Sequence, residues 1–189
     1  MNRDALSAAV GRIAWGYVFL YLDFNLGTVD VLPDWLFFLL TVRALPALAE
    51  AVPAAALLER LGILLGAWHA LAWVLEMFRI TPPYLLLILV SVLCLYFHFQ
   101  LLTNLAELAE KAGCTRGRSL LVLRTVLTLL TTVLALPVDW MALPAAGWIA
   151  DAGLTPGILL AAGYFILILF LCGCLFILRR ELEPAGGAP

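Results

Sequence analysis

Charge is the scarcest thing in this chain. Only 13% of its 189 residues are Asp, Glu, Lys or Arg, about half the share of a soluble domain. Residues 80–106 and 152–178 contain none at all. With 65% apolar residues, a single domain of this length has more oily surface than a water-facing fold can hide. The net charge is −2 and the basic residues form no patch, which leaves nucleic acid no footing as a partner. Serine is nearly missing, with only Ser7, Ser91 and Ser119. No G-x-S-x-G, P-loop, H-E-x-x-H or dinucleotide fingerprint occurs. There is thus no recognisable catalytic motif, and neither a cofactor nor a metal is expected. The four cysteines, Cys94, Cys114, Cys172 and Cys174, form no C-x-x-C pair. That excludes a zinc site or disulfide framework by spacing and leaves small packing residues plus one loop thiol. The apolar run 13–22 has the length of a signal-peptide core, but Asp23 and Asn25 follow it in place of a small-x-small cleavage site. It is expected to remain as a membrane helix.

What the chain does have is one apolar run after another. A helix needs about 20 apolar residues to cross a bilayer. Six runs qualify: 6–22, 35–52, 57–78, 84–105, 120–136 and 158–178. The second is the weakest, because Arg43 and Pro46 fall inside it. Arg12 and Arg124 are expected to snorkel towards headgroups. The basic residues sort by connection. Arg3, Arg12, Arg43, Arg60, Lys111, Arg116, Arg118, Arg124, Arg179 and Arg180 fall on one side of a six-span thread, and Arg79 alone on the other. Positive residues stay cytoplasmic. The expected fold is therefore an all-α, integral membrane bundle of six transmembrane helices with both termini cytoplasmic. It forms one domain over 1–183, with a disordered Pro- and Gly-rich tail over 184–189. Thr103 to Gly113 reads as a continuation of the fourth helix, stopped by Gly113. The third outer connection, 137–156, is apolar and is expected to lie on the membrane.

The first outer connection concentrates acids. Asp23, Asn25, Asp30 and Asp34 put four oxygen-bearing side chains within twelve residues. Gly27 allows a tight reversal, Asp30 is placed to cap the second helix, and Pro33 suits its first turn. The surplus oxygens suit a cation or a polar headgroup, although their spacing matches no known calcium loop. The stretch Asn25-Leu-Gly-Thr-Val-Asp-Val-Leu-Pro-Asp-Trp35 resembles the Asn-Leu-Gly-Thr-Ile-Asp-Ile-Leu-Pro-Asp segment of a group of small bacterial multi-spanning membrane proteins. The resemblance implies a bacterial cytoplasmic (inner) membrane protein and no mechanism.

Inside the spans, Glu59, Gly62, Gly66, His69, Trp73 and Glu76 recur at steps of three and four and share one helix face. Gly62 and Gly66 make a G-x-x-x-G, which lets another helix come close. Arg43 and His69 fall at similar depths. Arg43 is expected to face the interior and to pair with Asp23 or Glu76. Ser91, Cys94 and His98 share a face of the fourth span, and Thr125, Thr128 and Thr132 a face of the fifth. Depth separates His69 from His98 too far for a shared metal.

These features carry three functional readings. The foremost is a structural, assembly or regulatory membrane component, with a membrane-protein partner or a second copy. The next is a small transporter or channel-like carrier using the intramembrane Arg43, His69 and Glu76 cluster. The third is a membrane enzyme acting on lipid headgroups at the outer face, through Asp30 and Asp34.

Overall fold

The computed structural model describes residues 2–21, 25–26, 29–30, 33–143, 147 and 154–183, apart from the side chains of 25, 26, 29 and 30. Its described residues form α-helices α1 Arg3–Tyr21, α2 Trp35–Ala51, α3 Ala56–Met77, α4 Tyr84–Lys111, α5 Gly117–Leu134 and α6 Pro156–Leu182. Two two-residue strands, β1 Asn25–Leu26 and β2 Val29–Asp30, pair antiparallel between α1 and α2, Asn25 opposite Asp30.

The helix limits follow local chemistry. Pro53 pushes Val52 into an extended conformation and so ends α2. A 3-10 turn, Pro53–Ala55, then leads straight into α3. Pro83 precedes α4, and Gly113 with φ 73° follows its last turn. Thr155 caps α6, its hydroxyl accepting from the Ile158 amide at 3.3 Å, with Pro156 at the first helical position. At α2 the sequence expectation is corrected: Asp34, not Asp30, precedes the helix, and its side chain makes no cap hydrogen bond. Four segments are long and apolar enough to cross a membrane: Pro53–Met77, Tyr84–Lys111, Gly117–Leu134 and Pro156–Leu182. The other two helices fall short of that standard: α1 carries Arg3, Asp4 and Arg12, and α2 has only 17 residues.

Polar contacts show how the helices alternate. Arg3 donates to the Ala112 carbonyl at 3.2 Å, and Lys111 to the Ala51 carbonyl at 3.1 Å. The Thr115 amide and hydroxyl both donate to the Glu181 carboxylate. The start of α1, the ends of α2, α4 and α6, and the start of α5 therefore meet at one end, called here the basic end. Cations sit there on helix C-terminal carbonyls, where the helix dipole favours them.

Each helix packs against the next in sequence, and α6 closes back onto α1. The ring is tightest towards the basic end. Leu6, Val10, Ile13, Leu45, Leu48, Leu101, Leu105, Leu108, Leu175 and Leu178 are all essentially inaccessible there. Outward faces are apolar as well: Leu85 is 80% exposed and Ile166 65%. A bundle oily on both its inner and outer faces is what lipid as solvent requires. Of the third long connection, Trp140 and Met141 lie against the first turn of α6, where the Gly157 amide donates to the Trp140 carbonyl at 3.0 Å. Residues 144–146 and 148–153 lie outside the described residues.

Candidate functional site

Away from the basic end the ring does not close. A cavity of about 420 Å³ lies among α1, α3, α4, α5 and α6, reaching the end of the bundle at Tyr21 and Asp34. Its apolar walls include Leu20, Val90, Leu95, Leu102, Leu127 and Leu171. Its polar groups come from helical spacing. Tyr17 and Tyr21 are one turn apart on α1. Ser91, Cys94 and His98 descend α4, and Arg124, Thr128 and Thr131 follow α5 at steps of four and three.

Near the mouth, His69 Nδ1 is 3.5 Å from Asp34 Oδ2, and its Nε2 is 3.4 Å from Cys94 Sγ. The imidazole stacks on Phe38 with centroids 4.9 Å apart. Asp34, His69 and Cys94 thus form a chain from the exposed end inwards. The order suggests a thiol nucleophile, a base and an orienting acid. Cys94, however, lies inside an unbroken helix whose backbone N–H groups are already spent, so no backbone pair stands free beside it to hold an oxyanion.

Deeper in, Tyr17 Oη and His98 Nδ1 share a hydrogen bond of 3.1 Å, and Tyr21 Oη and Tyr164 Oη another of 3.1 Å. Tyr164 also accepts from Thr131 at 3.5 Å. Tyr17→Phe would leave the half-buried His98 nitrogen without its described partner. It is expected to cost about 1–3 kcal/mol, read as a lower unfolding temperature of the protein in nanodiscs, with an unchanged temperature counting against the bond.

Arg124 occupies the deep part of the cavity. Its Cζ sits 4.3 Å over the Phe99 ring, its Nη1 donates to Thr103 at 3.1 Å, and its Nη2 approaches Thr125 at 3.4 Å. Its Nε is buried with no partner, and among the described residues no carboxylate is paired with it. The expectation that Arg124 snorkels to headgroups gives way to a side chain held inward by α4. The one described acid lining the cavity, Asp34, lies at the mouth, about 15 Å away along the bundle by helical rise.

The residues singled out from sequence divide. His69 and Asp34 are brought together. Arg43 is not: its side chain is exposed, as is Glu76 at the far end of α3. The expected pairing of Arg43 with Glu76 is therefore corrected. Thr41, Ala44, Leu45 and Leu48 form the buried face of α2, and Arg43 lies about 200° round from Thr41 at 100° per residue. The turn of α2 about its axis therefore carries Arg43 away from the interior. Asp23 lies outside the described residues, as do the side chains of Asn25 and Asp30. Gly62 and Gly66 lie in the seam with α2: a Cβ on Gly62 would fall 2.8 Å from Val42 Cγ2, and one on Gly66 3.0 Å from Phe38 Cβ. Thr125 and Thr132 bond back to Leu121 and Thr128 on their own helix, leaving Thr128 and Thr131 to line the cavity. Tyr17, Tyr21 and Tyr164 join the site without having stood out from the apolar runs that contain them. The i, i+4 spacing of the first two was the available signal.

No family model matches the chain, and no curated protein or solved structure is significantly similar to it.

Proposed function

We propose that this protein is a six-span carrier of the bacterial cytoplasmic membrane that binds a small amphipathic anion in the cavity between its helices. One observation carries the reading: Arg124 lines that cavity with a buried, unpartnered Nε and no described acid beside it. A guanidinium in the bilayer is costly and is ordinarily paired. A bound anion would supply the missing partner. The surrounding leucines and tyrosines suit an apolar or aromatic body. One end of the cavity reaches the bundle's mouth and the other is closed by packed leucines, the arrangement expected of a carrier caught open to one side. A scaffold or assembly role needs no such cavity. The headgroup-enzyme reading rests on the acidic connection, most of which lies outside the described residues.

The test uses benzenesulfonate, whose charge is fixed. Purified protein in nanodiscs should bind it saturably and leave benzyltrimethylammonium unbound, and proteoliposomes should accumulate the sulfonate. Binding without uptake would make the protein a receptor instead of a carrier. Equal affinity for the cation, or no saturable binding of either, would remove the proposal.

The orientation draws on the basic residues, which crowd one end of the bundle, and on the resemblance of residues 25–35. It places Cys114, in the turn between α4 and α5, on the cytoplasmic side. Burial pushes the Cys114 thiol up from its ordinary pKa, and the nearby Glu181 carboxylate adds to the shift. Only the thiolate reacts. Labelling by an impermeant maleimide should therefore be confined to inside-out vesicles and rise about tenfold per pH unit through the alkaline range. Glu181→Gln should speed it at fixed pH. Labelling of Cys114 in intact cells would invert the topology.

A further inference from the structure

A second concavity lies on the outside of the ring. It measures about 370 Å³ and runs between α1, α2 and α6, lined by Gly11, Arg12, Trp15, Phe19, Leu40 and Arg179 among others. Its cations come from separate helices. Arg12 is exposed and reaches across to α2, donating from Nη1 to the Arg43 carbonyl at 3.4 Å. Pro46, inside α2, has no N–H and leaves the neighbouring Val42 carbonyl without its helical donor. Arg43 stands three residues after Leu40, on the same face, with its side chain exposed. Arg179 comes from α6: a Cβ on Gly11 would lie 3.1 Å from its Cδ, so the bare glycine is what lets its stem into the groove.

These charges are poorly balanced. Arg179 faces Glu183 at 3.5 Å, and among the described residues no acid pairs with Arg12 or Arg43. The acids on the same faces, Asp4 and Glu50, stand about 10–12 Å nearer the helix ends. Arg12 and Arg43 themselves lie about 12–14 Å in from the basic ends of α1 and α2. At that depth an exposed guanidinium meets lipid, where it is tolerated by drawing in phosphate. The groove also has an apolar wall: Trp15 stacks on Phe19 at 5.9 Å and meets Phe176 edge-on at 5.5 Å.

We infer that this groove is a binding site for the phosphate of an anionic phospholipid, held by Arg12, Arg43 and Arg179, with acyl chains lying along Trp15 and Phe19. Juxtamembrane basic pockets between helices recognise such headgroups. A second copy docked symmetrically would set arginine against arginine, so lipid is the occupant. The site is separate from the cavity that holds Arg124.

The test is native mass spectrometry of protein released from bilayers of equal phosphatidylglycerol and phosphatidylcholine. Wild type should retain phosphatidylglycerol about tenfold over phosphatidylcholine. The Arg12→Gln, Arg43→Gln double variant should lose that preference while keeping its unfolding temperature and its benzenesulfonate affinity. Arg60→Gln, Arg118→Gln, with the same charge change elsewhere, should keep it. Equal retention in both double variants would overturn the site. So would displacement of the lipid by millimolar inorganic phosphate, which would make the ligand a soluble phosphate, or a dimer in place of the lipid-bound monomer.

Discussion

Arg124→Ala is expected to weaken benzenesulfonate binding by about 30- to 5,000-fold and to abolish uptake. The magnitude is that of removing one partner from a buried, hydrogen-bonded charge contact, about 2–5 kcal/mol. The fold should survive. Arg124 is held by Phe99, Thr103 and Thr125 alone among the described residues, so its loss breaks no ion pair and relieves a charge that is costly to keep in the bilayer. The unfolding temperature of the empty protein should stay level or rise. Arg124→Lys separates charge from geometry. It keeps the cation but loses the planar fork that spans Thr103 and Thr125, so binding should fall to an intermediate value. If Arg124→Ala binds the sulfonate as wild type does, the carrier reading loses its anchor.

Gly62→Leu should lower the unfolding temperature by about 10 °C. A β-carbon there already meets Val42 Cγ2 at 2.8 Å and Phe97 Cε2 at 3.1 Å, and Phe97 is inaccessible, ringed by Phe37, Phe38 and His98. Three further carbons must force α3 away from α2 and α4. Overpacking costs about 1–3 kcal/mol, and three added carbons against an inaccessible ring fall at the upper end; a chain of this length loses about 2–4 °C per kcal/mol. Without lipid-side hydrophobic drive between helices, close backbone packing is much of what holds the seam. The matched controls are Gly163→Leu and Gly173→Leu on α6, where a Cβ meets nothing within 4 Å. They should be neutral or slightly stabilising, since leucine favours helix over glycine. Equal losses at all three positions would mean that Gly62 holds no special place in the packing.

Arg43 and Arg124 show what kind of information a sequence carries here. Both are arginines within an apolar run, at a depth that can be counted from the helix ends. The sequence reading turns Arg43 into the bundle and sends Arg124 to the headgroups, whereas Arg43 is exposed and Arg124 rests on Phe99 and Thr103 of α4. Depth follows from rise per residue within one helix. Direction depends on which neighbours a helix meets, and α2 turns Thr41, Ala44 and Leu45 to them. His69 lies on the stripe that the periodicity of α3 marked out, but its contact with Asp34 joins two helices and could not be counted along either.

The sequence alone located the helical segments, because length, apolarity and helix-breaking residues such as Pro53, Pro83 and Gly113 act within a few residues of themselves; it counts six spans, and four of the helices described here are long and apolar enough to cross a membrane. It also concentrated cations in alternate connections, which the alternating helices then gather at one end. Only the tertiary structure decided that the ring stays open around Tyr17, His98 and Arg124, and that Arg12 and Arg179 share an outer groove with Arg43 one helical turn beyond its Leu40 wall. Those groupings depend on the rotation of each helix about its axis, which is fixed by packing against its neighbours.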